Sequence, residues 1–85
     1  MNIQAELSVY PLQTTRMGEV IDSFVNGLER AGLSVHKGNM STTLTGDAGA
    51  VFAAVGEAFA SAAESDEVVL VMKASNACPS PDEAK

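Results

Sequence analysis

Residues 33–47, LSVHKGNMSTTLTGD, form the stretch of sequence that decides the fold. The segment from Leu33 to Lys37 is predicted to be a short strand, and the Gly38–Asn39 pair has the composition of a hairpin turn. The segment from Ser41 to Thr45 is rich in β-branched residues and supplies the returning strand. Gly46–Asp47 then breaks the pattern. The stretch therefore predicts two consecutive antiparallel strands.

A helix is predicted on each side of this hairpin. The first helix has apolar residues at helical spacing, namely Met17, Val20, Ile21, Phe24, Val25, Leu28 and Ala31. Thr15 is its predicted N-cap, and Gly32 follows at the position where a left-handed residue ends a helix. The second helix begins after the N-cap Asp47 and has apolar positions at Ala48, Val51, Phe52, Val55, Phe59 and Ala62.

The first and the last strand of the chain complete the predicted fold. Residues 2–10 alternate between apolar and polar, which is typical of a strand with one buried face, and Pro11 is expected to end it. Val68 to Met72 is a continuously apolar fourth strand. Right-handed connections turn the order βαββαβ into an α+β ferredoxin-like sandwich, with an antiparallel sheet in the order 4-1-3-2 and two helices on one face. Residues 1–78 are predicted as a single ligand-binding domain and residues 79–85 as a flexible C-terminal tail.

Composition excludes several classes of function. The 85 residues carry a net charge of −6 without a basic cluster, which disfavours nucleic acid and anionic membranes as partners. A single cysteine, Cys78, excludes an internal disulfide and a multi-cysteine metal site. The first ten residues, MNIQAELSVY, lack the basic and long apolar regions of a signal peptide. We therefore expect a cytoplasmic protein.

The sheet face that the helices leave open is expected to be polar in its centre. Its predicted side chains are Gln4, Glu6, Ser8 and Tyr10 from the first strand and Ser41, Thr43 and Thr45 from the third. Such a face is commonly just solvated. The fourth strand, however, is an edge strand that is apolar on both faces. Lys73 alone gives it little protection against pairing with a strand of another molecule. We therefore expect a homodimer or higher homo-oligomer, with a pocket between the sheets of its subunits.

Three segments carry a family resemblance: AELSVYPL at residues 5–12, MSTTLTG at residues 40–46 and SNACP at residues 75–79. In this order they resemble the YkoF-like family, whose members bind thiamine or hydroxymethylpyrimidine. The resemblance implies a ferredoxin-like module that binds its ligand, needs no other cofactor and is not an enzyme. Family members can carry two modules in one chain, so a homodimer of this single module would replace the tandem pair.

The resemblance also implies the residues of the site. The three segments offer Ser8, Tyr10, Met40, Ser41, Thr42, Asn76 and Cys78 as candidate binding residues. Hydroxyls and the amide of Asn76 can bond an aminopyrimidine, and Tyr10 or Met40 can contact a flat ring. By strand parity, Glu6 is the candidate counter-charge for the thiazolium cation.

Two other functions compete with vitamin binding. An acylphosphatase-like enzyme would need a glycine-rich loop with an arginine after the first strand, but the loop here is PLQTTR, at residues 11–16, and Arg16 lies just inside the helix. His36, the single histidine, has no acid near it in sequence, and Cys78 has no basic neighbour. The second alternative is a small regulatory or protein-interaction module of the same topology.

Overall fold

The computed structural model describes residues 1–38 and 41–77. These residues form six elements: β1 (Asn2–Leu12), α1 (Met17–Arg30), β2 (Ser34–Lys37), β3 (Thr42–Asp47), α2 (Ala48–Ala63) and β4 (Glu67–Ser75). The sheet has the order β2-β3-β1-β4, and its described pairings are all antiparallel. This is the order 4-1-3-2 counted from the other edge. The predicted ferredoxin-like fold is confirmed.

The core lies between the two helices and one face of the sheet. The alternation in β1 buries Ile3, Ala5 and Leu7 and leaves the residues between them on the opposite face. The most deeply buried large side chains come from both layers and are Leu7, Leu28, Leu44 and Val51. Each such side chain contributes roughly 1.5–3 kcal/mol relative to full exposure. The core therefore fixes which residues of each strand face away from the helices.

β1 is longer than its sequence pattern predicts. Pro11 does not end the strand but lies within it, buried and opposite Val68 of β4. β3 pairs only with residues 2–7 of β1, whereas β4 pairs with residues 4–12. Proline lacks a backbone donor and is tolerated where one side of a strand has no partner. Among the described residues, the last part of β1 has a partner strand on one side only, and the strand continues to Leu12.

The helix ends follow from local hydrogen bonds. The predicted N-cap Thr15 is wrong, because Arg16 occupies the cap position and its amide donates to Thr14 Oγ1 at 3.0 Å. Asp47 caps α2 as predicted, since its carboxylate accepts from the Gly49 amide at 3.2 Å. Gly32 has a φ of +84°, as expected for the left-handed residue after α1.

Helix α2 departs from its predicted apolar face. Val51 and Val55 are buried, but Phe52 and Phe59 are 54% and 36% exposed. Ala54, which the pattern did not single out, is buried in their stead. Because α2 has a single charged residue, Glu57, among its 16 residues, its sequence contains little to mark the outer face. The prediction of Phe52 and Phe59 as core residues is therefore wrong.

Candidate ligand-binding site

The open face of the sheet, the one without helices, has two chemically different halves. The polar half is centred on β3 and the start of β1 and consists of Gln4, Glu6, Ser8, Ser34, His36, Ser41, Thr43 and Thr45. The apolar half lies where β1 pairs with β4 and consists of Tyr10, Leu12, Val69 and Val71, with Glu67 at its border, opposite Leu12. Both halves share β1, so strand parity alone brings their side chains to one surface.

Glu6 is at the centre of the polar half. Its Oε1 lies 3.1 Å from Nζ of Lys73, its cross-strand neighbour on β4. Its Oε2 accepts a hydrogen bond from Ser41 Oγ at 3.0 Å. The hydrogen bond from Lys73, with that from Ser41 and the charge of the ammonium group, lowers the pKa of Glu6. The residue is therefore an ionised carboxylate at neutral pH.

The apolar half is exposed. Tyr10 is 52% exposed, and Leu12, Val69 and Val71 are 45%, 45% and 49% exposed. Tyr10 lies directly opposite Val69, and Ser8 lies opposite Val71, so the two valines extend the row of β1 side chains to the sheet edge. Four large apolar side chains thus form one surface on the open face.

A cavity of about 190 Å³ opens beside β1, next to Leu7 and Thr42, where the paired residues of β3 begin. Its lining residues come from β1, α1 and the β2–β3 connection and are Leu7, Ser8, Val9, Gly18, Ile21, Asp22, Phe24, Val25, Lys37, Gly38, Ser41 and Thr42. Lys37 and Asp22 form an ion pair at 2.6 Å. Ser8 and Ser41 lie on the open face as well as in this wall. We call this space the edge cavity.

The structure brings some of the predicted site residues together. Glu6, Ser8 and Ser41 meet on the polar half, and Tyr10 follows two residues after Ser8 on the same face. Thr42 is buried on the opposite side of the sheet, yet it reaches the same region because it lines the edge cavity.

Asn76 lies apart from this group. It follows Ser75, which pairs with Gln4, and so is three residues, or roughly 10 Å, beyond Lys73 along the strand direction. Met40 and Cys78 lie outside the described residues, as do residues 79–85. The binding roles of all these residues stay predictions.

Sequence reasoning missed the pair Lys37 and Asp22 and the apolar wall that α1 gives to the edge cavity. These residues are distant in sequence and meet only through the packing of α1 beside β1. The sequence identifies Lys73 as a charge on the edge strand but does not indicate its contact with Glu6. The register of β1 and β4 produces that contact, and an alternation pattern contains no register.

A second concave region lies between the two helices. Arg16 crosses it and bonds the carboxylate of Asp66 at 3.2 and 3.3 Å. None of the described residues predicted to bind ligand lines this groove. The groove therefore gains no support from the sequence as the binding site.

Two features are absent from residues 1–38 and 41–77. No helix in this part of the chain is long and apolar enough to cross a membrane. No group of three or more histidine, cysteine, aspartate or glutamate side chains in it is arranged to hold a metal ion.

Comparison with known proteins identifies relatives of the whole domain. The sequence model of a family described as thiamine-binding protein matches residues 5–78. A search of curated proteins gives no match. Among solved structures, a candidate thiamine biosynthesis/salvage protein from Thermotoga maritima has a TM-score of 0.79 at 21% identity, covering 87% of this chain and 82% of its own.

Two further solved structures are similar over nearly the whole chain. A protein from Streptococcus pneumoniae has a TM-score of 0.86 at 24% identity, with 98% of this chain and 96% of its own covered. A domain of unknown function from Bacillus cereus has a TM-score of 0.83 at 22% identity, with 99% and 86% covered. At these identities the three structures support the fold, and the family match carries the relationship.

Proposed function

The chain belongs to the thiamine-binding protein family, and from this premise we propose that it binds thiamine or its hydroxymethylpyrimidine precursor without catalysing a reaction. The observation that carries the proposal is that an ionised carboxylate, Glu6, is hydrogen-bonded to Ser41, a residue that also lines the edge cavity. Thiamine has the matching two parts, a neutral aminopyrimidine ring and a cationic thiazolium ring.

The edge cavity suits the pyrimidine ring. Drug-sized ligands occupy pockets of about 300–1,000 Å³, whereas 190 Å³ suits one substituted ring. Its wall is apolar on the side of Phe24 and Val25 and carries the hydroxyls of Ser41 and Thr42 on the other. Hydroxyls both donate and accept, which the ring nitrogens and the amino group require.

The open face suits the thiazolium ring. A cation near Glu6 gains from the carboxylate, and Tyr10 lies four residues further along the same face of β1. Alternate residues of a strand are roughly 7 Å apart. Ser8 lies between Glu6 and Tyr10 on this face, so the backbone positions of Glu6 and Tyr10 are about two such distances apart. A ring that leaves the edge cavity at Ser8 would therefore meet Glu6 on one side and Tyr10 on the other.

A second copy of the chain is proposed to cover the apolar half. β4 is an edge strand, and its outward valines continue the apolar row of Tyr10 and Leu12. A self-complementary dimer would remove these side chains from water and close the ligand between two sheets. The overall charge of −6 favours an uncharged contact surface for such a pair.

The proposed biological role is vitamin transport or salvage in the cytoplasm. A single cysteine fits a reducing compartment, where disulfides are rare. Binding without chemistry fits a carrier, because the proposal assigns Glu6 to the counter-charge and the hydroxyls to hydrogen bonds with the ligand ring.

Titration calorimetry tests the proposal. The wild-type chain is titrated with thiamine and with hydroxymethylpyrimidine, and heat with micromolar affinity is expected from at least one of them. Thr42→Val keeps the shape of the cavity wall and removes one hydroxyl, so it should weaken the binding of hydroxymethylpyrimidine. Ser61→Ala, in the groove between the helices, is the matched control. Absence of heat with both ligands would contradict the proposed function.

A protein-interaction module is the second candidate, and the exposed Phe52 and Phe59 of α2 favour it. This alternative predicts that neither ligand produces heat. It also predicts that polar substitutions of these two phenylalanines leave the isolated chain folded. The same titration therefore separates the two candidates.

A further inference from the structure

We infer that Lys73 is a displaceable counter-ion, which a cationic ligand must replace at Glu6 and which a neutral ligand leaves in place. The inference rests on the proposed function, because it concerns the same site. It assigns Lys73 a role in ligand selectivity, beyond that of an edge-strand charge.

Both oxygens of Glu6 already have partners in the structure. The hydroxyl of Ser41 is neutral, so it satisfies Oε2 without cancelling the charge. The ammonium group of Lys73 at Oε1 does cancel it. An incoming cation therefore meets a compensated carboxylate and gains little unless the lysine withdraws.

Lys73 can withdraw at low cost. Its side chain is 78% exposed, and that of Glu6 is 46% exposed, so water can solvate the ammonium group once it leaves. Exposed ion pairs of this kind contribute little, because solvent screens them and two long side chains lose freedom. The ion pair can therefore exchange partners, and its small contribution sets the size of the expected effect on selectivity.

No other lysine or arginine of the described residues can replace Lys73 on the open face. Arg16 and Arg30 belong to the start and end of α1, on the helix side. Lys37 lines the edge cavity and pairs with Asp22. Removal of Lys73 would therefore leave the Glu6 carboxylate uncompensated within the described part of the sheet.

This exchange predicts opposite effects on two ligands that share one ring. Thiamine carries the thiazolium charge and must displace Lys73, whereas hydroxymethylpyrimidine is neutral and does not compete for Glu6. Without Lys73, the affinity for thiamine should rise and the affinity for the pyrimidine alcohol should stay the same. Without the Glu6 charge, thiamine should lose affinity and the alcohol should not.

The test measures the dissociation constants of both ligands for Lys73→Gln, Glu6→Gln and the double variant by calorimetry at low ionic strength. Lys73→Gln should tighten thiamine binding by about two- to fivefold, the factor that corresponds to an exposed ion pair. In the double variant, loss of Lys73 should have no further effect beyond that of Glu6→Gln. Arg30→Gln is the matched control, since it makes the same charge change on the helix side.

Equal changes for thiamine and the pyrimidine alcohol, or an unchanged thiamine affinity in Lys73→Gln, would overturn the inference. A similar gain in Arg30→Gln would also overturn it, because the effect would then reflect net charge alone. These results differ from failure of the proposed function, in which the wild-type chain binds neither ligand. Circular dichroism of each variant verifies that the fold is retained.

Discussion

The two halves of the open face differ although β1 runs through both. In the polar half β1 pairs with β3, which supplies Thr43 and Thr45 and is preceded by Ser41. In the apolar half β1 pairs with β4, which supplies Val69 and Val71. A polar antiparallel face is stable in water, whereas an apolar edge strand invites a partner. The difference assigns separate tasks to the two halves in the proposed function: the polar half would anchor the ligand, and the apolar half would contact a second copy.

Substitution of Val69 by lysine should have the largest effect on this comparison. Val69 lies in the middle of the apolar half opposite Tyr10, and a buried ammonium group there would oppose association. We expect the mass from sedimentation equilibrium to fall to that of one chain. Ser34→Lys places the same charge on the exposed edge of the polar half and should leave the mass unchanged. If Val69→Lys keeps the wild-type mass, the apolar half is not the interface.

Removal of the Ser41 hydroxyl should have the next largest effect. Ser41→Ala removes a group that bonds Glu6 and lines the edge cavity, and ligand binding should weaken by about 1–2 kcal/mol. Ser34→Ala removes an exposed hydroxyl from the same face and should leave the affinity as it is. Equal affinities of Ser41→Ala and the wild type would remove Ser41 from the site.

The pH dependence of the stability should show the smallest effect, and this effect should come from the polar half alone. Because Lys73 and Ser41 lower the pKa of Glu6 in the folded chain, its contribution to stability is present above the unfolded pKa near 4.5. That contribution is lost as the pH falls through the lowered pKa. The melting temperature of the wild type should therefore fall more steeply below about pH 4.5 than that of Glu6→Gln.

Asp47, whose pKa is lowered by the charged N-terminus, contributes equally to both proteins and cancels from this difference. Val69→Thr, in the apolar half, should retain the steep acid dependence of the wild type. If the melting temperatures of the wild type and Glu6→Gln fall in parallel as the pH is lowered, the ionised carboxylate is not stabilised by its two partners.

Much of the fold could be predicted because its signals are local. The alternation of β1 identified the open face correctly, and the spacing in α1 identified Val20, Phe24 and Leu28 as buried. The orientation of α2 could not be predicted in the same way. Its alanines and glycines can lie inside or outside, so tertiary packing alone decided that Phe52 is exposed.

Less of the site could be predicted because its geometry depends on long-range contacts. Parity correctly grouped Glu6, Ser8 and Tyr10 on one face. The bond between Ser41 and Glu6 joins residues 35 positions apart and depends on the pairing of β1 with β3. The edge cavity exists because β3 begins at Thr42, beside Leu7, whereas β1 continues past this point. The proline rule placed the end of β1 too early.

The central claim is that the ligand binds where the polar half meets the edge cavity. NMR chemical shifts of the backbone amides, followed during a thiamine titration, test this claim most directly. The account predicts that the largest shifts occur at Glu6, Ser8, Ser41 and Thr42 and that they saturate together. Shifts concentrated at Ser61 and Asp66, in the groove between the helices, would contradict it.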